Sequence, residues 1–400
     1  MKLAGDWAPG QRKVCNLPWC EPLLLNLEGP ISCVVDGLQK TSKAGPHLIN
    51  NVLPESTAEL VLTLANNHLM DYGESGLRQT ISDLDSHEIK WVGAGMNAYF
   101  AGRALVLDYQ GARIGILSRC EVQFGVATDR RPGVAAFDAS VYQAIRELKR
   151  KCDVVIASIH AAAEMCPWPS PRRQDSWHAL IDAGADVVHG HHAHIPQGWE
   201  SYEHGLIFYG LGNFCVDPQT WARYPNTLWS LAPELSWAGG QFGMRLTTAV
   251  VEDLGETIRV RDASRDEADE HRQYLEICNR PLSDRLLLEA LWQEMSVRMY
   301  LGYYADWLRF EPRTVLRQQG WWLRVRRVLS DVRSALRRSL STRPVADVSQ
   351  SQYLLWYHLF ACESHHDAIA TALGVLGGEL EDLRTPETAR LVDDMMPPLH

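Results

Sequence analysis

The residues from Gly184 to His194 read Gly-Ala-Asp-Val-Val-His-Gly-His-His-Ala-His. Four of the six residues from 189 to 194 are histidine (His189, His191, His192, His194), in a chain with 15 histidines among 400 residues. A small and apolar run that ends at a glycine reads as a buried strand breaking into a turn. Such turns lie at the carboxyl edge of a sheet, where α/β proteins hold their ligands. Neutral imidazole is the commonest nitrogen ligand of divalent transition ions, so His192 and His194, two apart, point to a metal centre. In an extended segment these two face one way and His191 the other, which leaves His189 and His191 outside the expected ligand set. A surface loop rich in histidine by chance is the blander alternative, and the clustering argues against it.

Two imidazoles do not hold a metal alone. Four further apolar runs end in polar residues: Leu3–Gly5 before Asp6; Pro22–Leu25 before Asn26 and Glu28; Leu60–Ala65 before Asn67, His68 and Asp71; Val154–Ile159 before His160 and Glu164. Singly, each has an ordinary explanation. Asp6 suits a turn, Glu28 a solvated surface, Asn67 a helix N-cap and His160 a satisfied core position. Jointly, five strand ends offer the mixed oxygen and nitrogen donors that two divalent transition ions take.

The elements that must position these residues follow from hydrophobic spacing. Strand and helix patterns alternate over the first 110 residues. Glu55–Leu60 reads as a short helical approach to a Val61–Leu64 strand. Gly73–Ser86 reads as a helix with Leu77, Ile81 and Leu84 on one face, and Leu105–Leu117 as a hairpin. Val141–Lys151 and Gln174–Ala183 are expected helices before the His160 strand and the His-rich turn. Gly205–Phe208, Gln241–Val250 and Ile258–Val260 are expected strands. From about Asp262 strand signals stop and helical spacing takes over, with Arg285–Met299 and Tyr353–Gly374 as broad-faced helices. The division is thus an α/β unit over 1–262 and an α-helical region over 263–400. His365-His366-Asp367 reads as a surface cluster.

Six motifs in order carry a family resemblance: Gly5-Asp6, Asn26-Leu-Glu28-Gly-Pro-Ile, Ala65-Asn-Asn-His68-x-x-Asp71-Tyr-Gly, His160-x-x-x-Glu164, Gly190-x-His192-x-His194, and Tyr209-Gly-Leu-Gly-Asn213-Phe214. Over roughly residues 1–262 the chain resembles the CapA-type poly-γ-glutamate capsule biosynthesis proteins, a branch of the calcineurin-like metallophosphoesterases. The resemblance implies an α/β four-layer sandwich, two β-sheets flanked by helices, here with a C-terminal helical extension. It implies a dinuclear centre with Asp6, Glu28, Asn67, His160, His192 and His194 as ligands. The metal would be manganese, iron or zinc. Ala161-Ala162 stands where the family usually has Trp-Gly, and Ala193 where it usually has Pro.

Composition narrows the class. A net charge of −10 argues against nucleic-acid binding, which needs a basic footprint. Nine cysteines without a Cys-x-x-Cys pair fit scattered reduced thiols and a cytoplasmic location. The first strand is expected to start at Lys2 or Leu3, and no signal peptide is expected before it. The stretch 307–340 is rich in arginine around Trp321 and Trp322. It is read first as a solvated helical face packed on the sandwich. Its alternative is a peripheral contact with anionic lipid or a membrane synthase.

The expected activity is metal-dependent hydrolysis of a phosphoester in capsule or exopolymer biosynthesis, on a phosphorylated or polyanionic small molecule or polymer. Glu28 is the expected bridge between the ions and Asp6 a terminal ligand, with the exchange of these two roles as the alternative. His68 is the expected general acid, with Asp71 orienting its ring. Asn26, Glu164 and Asn213 are expected near the substrate. Two alternatives stand beside this reading: a non-hydrolytic metal-binding accessory subunit of a synthesis or export complex, and a dinuclear enzyme acting on an amide or ester.

Overall fold

The computed structural model describes residues 1–31, 48–50, 52–56, 58–123, 125–238, 241–308 and 350–396. Two principal sheets dominate. In the first, the strands run in the order Gln241–Arg245, Glu234–Ala238, Lys2–Ala8, Leu23–Leu27, Leu60–Thr63 and Lys90–Val92, and Asn213–Val216 also pairs with Lys2–Ala8. In the second the order is Trp199–Tyr202, Gly205–Phe208, Val187–His191, Val154–His160, Ala112–Cys120 and Leu105–Tyr109. The central strands of both sheets are parallel, so their carboxyl ends gather on one edge.

Buried on both faces, these strands divide their apolar residues with the period-2 alternation of an extended chain. Leu24, Val61, Ile116, Val154, Ile156 and Val187 meet in the core between the sheets. Their neighbours Leu23, Leu25, Leu60 and Leu62 face outward from the first sheet, onto Leu77 and Leu84 of helix Gly73–Ser86. Val155, Ala157 and Val188 face outward from the second sheet, onto Val141 and Ile145 of helix Ser140–Lys149 and Trp177 and Leu180 of helix Pro171–Asp182. The four-layer α/β sandwich is therefore present. Its outer layer over the first sheet is shared with a small sheet of Trp229–Leu231, Thr248–Asp253, Thr257–Asp262 and Lys13–Val14.

Three local expectations are corrected. Residues 52–56 and 58–59 are not helical; Glu55 instead offers its carbonyl to the Leu17 amide at 2.9 Å. The segment Gln241–Val250 is two strands in different sheets, because the chain crosses at Thr247, whose carbonyl takes the Ala232 amide at 2.8 Å. The segment Tyr353–Gly374 is two helices, Gln350–Ala361 and Glu363–Gly377, broken at Cys362 by an extended backbone (ψ 121°).

The C-terminal helices are anchored conventionally. Ser264 and Glu267 form a capping box at Arg265–Asn279, and Asp284 caps Arg285–Met299. Their shared core contains Leu288, Leu291, Met295 and Ile369, and it also takes in Cys166 and Trp168 from the loop after His160. The helical region is thus packed on the segment that carries Glu164. Most of the basic stretch 307–340 lies outside the described residues. No helix among the described residues is long and apolar enough to cross a membrane. The eight described cysteines are free thiols.

Candidate metal centre

Strand register gathers the site. Asp6 is the in-register neighbour of Asn26 on one side and of Asn213 on the other, with a β-bulge following Asp6 on the Asn213 side. His160 and His191 are in-register neighbours at the last residues of their strands. Close backbone approach makes this possible. A β-carbon on Gly5 would stand 1.8 Å from the Gly212 carbonyl oxygen, and one on Gly190 2.2 Å from that of Tyr209. Only glycine lets the site-bearing strands come so near.

Asp6, Glu28 and His160 form one potential metal-holding group, each with a ligand atom within 4.8 Å of the others. All three are buried. The Asn26 amide nitrogen donates to Asp6 Oδ1 at 2.9 Å and to Glu28 Oε2 at 2.6 Å, bridging the two carboxylates. His160 Nδ1 lies 3.5 Å from Glu28 Oε2, and its Nε2 lies 3.0 Å from Asn67 Oδ1. Glu164, His192 and His194 form a second group of the same kind. The groups touch where His194 Nδ1 stands 3.5 Å from Asp6 Oδ2. The six expected ligands thus share one place, joined by Glu164.

The His-rich segment reaches it differently from the expectation. The strand ends at His191, and His192 and His194 sit at φ 89° and 60°. This is left-handed backbone that a residue with a β-carbon adopts at a cost. The pair converges through a strained turn and not through an extended segment. His189 and His191, left outside the expected ligand set, stand outside both groups but beside them. His191 faces inward beside His160, its Nδ1 2.9 Å from Asp6 Oδ1. His189 stands behind it, with Nδ1 3.2 Å from His191 Nε2 and Nε2 2.9 Å from the Ala4 carbonyl oxygen.

The expected substrate contacts divide. Asn26 is buried with its amide nitrogen on the two carboxylates and its oxygen taking Asn66 Nδ2 at 3.1 Å, so its polar atoms are engaged within the cluster. Asn213, also buried, places Oδ1 3.1 Å from His194 Nδ1 and donates to the Thr227 carbonyl, so it orients an imidazole. Glu164 alone of the three is open to solvent, with 55% of its side chain exposed. His68 Nδ1 lies 2.8 Å from Asp71 Oδ2, joining the two residues expected to act as acid and orienter. Asn66, not singled out in the sequence, fixes their loop: its Oδ1 accepts from the amides of Gly29, His68 and Leu69. Its position one residue before Asn67 was the available signal. The reading of His365 as a surface residue is also corrected: its Nδ1 is 2.5 Å from the Tyr304 hydroxyl and its Nε2 3.1 Å from His358 Nε2.

Electrostatics at the centre favour a cation. Burial raises Glu28 well above the ordinary carboxylate value, and the charge of nearby Asp6 adds to this. Burial also pushes Asp6 up, but the hydrogen bond and charge of His191, with help from His194, bring it below its ordinary value. Burial drives His160 well down, which keeps its imidazole neutral and able to ligate. Three buried polar atoms here make no hydrogen bond: Asp6 Oδ2, Glu28 Oε1 and His192 Nδ1. Buried polar atoms are ordinarily paired, so three such atoms among the two groups fit a ligand set for divalent ions.

Comparison with known proteins agrees with the motif order. Residues 21–218 match the bacterial capsule synthesis protein family, PGA_cap. The capsule biosynthesis protein CapA of Bacillus anthracis is 36% identical over 170 residues, 41% of this chain and 41% of that protein. The PGA biosynthesis protein CapA of Bacillus subtilis (strain 168) is 36% identical over 169 residues, 41% of this chain and 44% of that protein. A probable polyglutamine synthesis accessory protein of Mycobacterium tuberculosis is 36% identical over 171 residues, 39% of this chain and 45% of that protein. The chain spans less than half the length of these curated relatives. A phosphatase structure from Mycoplasma pneumoniae aligns with 70% of this chain at 11% identity and a TM-score of 0.32, too slight a likeness to bear on function. Glu28, Asn67, His160, His192 and His194 all fall inside residues 21–218, the segment that is similar to the bacterial capsule synthesis protein family.

Proposed function

We propose that this protein hydrolyses a phosphoester with two divalent ions, on a phosphorylated or polyanionic molecule of capsule or exopolymer formation. The observation that carries this is the pair of ligand groups meeting at Asp6 Oδ2, with hydrogen-bond-free atoms on Asp6, Glu28 and His192. Asp6, Glu28, Asn67 and His160 would hold one ion and Glu164, His192 and His194 the other, with an acidic residue between them offsetting their repulsion. Ions bound there would supply Lewis acidity toward a phosphoryl oxygen and a lowered pKa for water.

The chain's own residues do the rest. Asn26 keeps both carboxylates in place. His191 and Asn213 orient Asp6 and His194. Asp71 holds His68 Nδ1, so Nε2 becomes the ring atom that delivers a proton to the leaving oxygen. Glu164, open to solvent, stands where a substrate enters. A cytoplasmic or membrane-peripheral location completes this reading.

The test is purified protein with manganese against a panel of phosphoesters, with elemental analysis of bound metal. About two equivalents and turnover that disappears in His192→Ala and Glu28→Ala support it. Undiminished turnover in His192→Ala sinks it. The accessory-subunit reading draws support from the M. tuberculosis relative, which is named as an accessory protein of polymer synthesis. Bound metal, no turnover and tight binding of an anionic polymer would favour that reading.

A further inference from the structure

Glu121 follows the Ala112–Cys120 strand, is fully buried, and lies outside the proposed ligand set. Its carboxylate joins two parts of the molecule. Oε2 accepts from Arg173 Nη2 at 3.0 Å, from the Ser364 amide at 3.2 Å and from the Ser364 hydroxyl at 2.7 Å. Oε1 accepts from Gln123 Nε2 at 2.7 Å and from the Cys362 thiol at 3.5 Å. Helix Glu363–Gly377 has no side-chain cap of its own. Its first turn leaves amides without intrahelical partners, and Glu121 takes one of them from the other side of the fold. The break at Cys362 is what brings both Cys362 and Ser364 to this carboxylate.

The same Oε1 lies 3.4 Å from His192 Nε2, which also stands 3.0 Å from Gln123 Nε2. Across the ring, His192 Nδ1 is buried, makes no hydrogen bond, and sits 3.9 Å from Glu164 Oε1. An imidazole with a carboxylate behind one nitrogen and other potential ligands before the second is the arrangement in which an outer carboxylate fixes a metal-binding histidine. Here the carboxylate is itself clamped by a helix from the C-terminal region.

We propose that docking of helix Glu363–Gly377 on Glu121 positions the His192 ring, so that the C-terminal helical region governs metal occupancy of the Glu164–His192–His194 group. This rests on the metal-centre reading above. Glu121 and Ser364 are positioning residues. Linkage is reciprocal: an ion on His192 Nδ1 stabilises the docked helix to the extent that docking favours the ion.

The test uses the full chain and manganese alone, with titration calorimetry and amide hydrogen exchange. Glu121→Gln should weaken one of two manganese equivalents by about 10–100-fold, and Ser364→Ala should weaken the same one by less. Manganese should slow exchange at residues 362–366 of the wild type. Should Glu121→Gln fail to fold, Ser364→Ala and the wild-type exchange carry the test. Unchanged manganese affinity in the variants, or exchange at 362–366 indifferent to manganese, overturns the proposal. A wild type that takes up no manganese removes the metal-centre reading itself, whereas equal binding by wild type and variants removes only the positioning role.

Discussion

His191 holds Asp6 from behind, Nδ1 to Oδ1 at 2.9 Å, while the other Asp6 oxygen makes no hydrogen bond and turns toward His194. One oxygen is thereby fixed and the other presented. His191→Ala should lower divalent-ion affinity by about 10–100-fold, the usual effect of losing such a support, while leaving the fold intact. Asp6→Asn should lose more, because a ligand charge goes with it. Metal content after dialysis against graded manganese checks both, and a His191→Ala protein that retains metal like the wild type rules out this role.

The His68–Asp71 pair predicts a separable defect. His68→Ala should keep its metal and lose rate by about 10²–10⁴-fold, the range of general acid catalysis. The loss should grow as the leaving group becomes poorer, since a good leaving group needs no proton. Asp71→Asn should act in the same direction and more weakly. Rates on a series of aryl phosphates decide it: equal losses across the series would mean that His68 does not donate the proton.

Much of this centre was legible before the fold was known, because ligand-type residues at the ends of apolar runs report which strands share an edge. Gly73–Ser86 and Arg285–Met299 were legible to the residue from apolar spacing. His191 was missed because alternation along one strand cannot give register against another; its partnership with His160 is a property of the pairing. The left-handed turn at His192 and His194 was hidden for a related reason. Neither is a glycine, and only surrounding packing holds such backbone in place. Glu121 carried no signal, since its partners lie 52 and 243 positions away.

Gly5 predicts a structural defect distinct from a catalytic one. Its missing β-carbon is what lets the Lys2–Ala8 strand approach the Gly212 carbonyl oxygen, and 1.8 Å is far inside any contact distance. Gly5→Ala must push apart the Lys2–Ala8 strand and its Asn213–Val216 neighbour, at a cost of about 1–3 kcal/mol or more. Because Asp6 and Asn213 move with those strands, metal binding should weaken too. Urea unfolding in the presence of chelator measures the first effect without the second, and a midpoint equal to the wild type would refute the steric argument.

His271 makes a prediction about acid stability away from the metal centre. Its ring stacks on Trp229, centroids 3.9 Å apart and planes 5° off parallel, and Nδ1 lies 2.9 Å from the Thr248 hydroxyl. Burial lowers its pKa from 6.5 to about 4, against a smaller opposing pull from Glu267. The sign follows from linkage. Below pH 6.5 the unfolded chain binds this proton and the folded chain does not, so the unfolded state is favoured increasingly as pH falls toward 4. The stabilising contribution is complete above pH 6.5 and is lost between 6.5 and 4. His271→Gln retains a hydrogen-bonding group but removes the titration. Its unfolding midpoint should therefore fall less steeply than the wild type's over that interval, with parallel behaviour above pH 7. Thermal unfolding in chelator across pH 4–8 makes the comparison, and identical slopes below 6.5 would show that the stacked ring is protonated in the folded chain as readily as in the unfolded one.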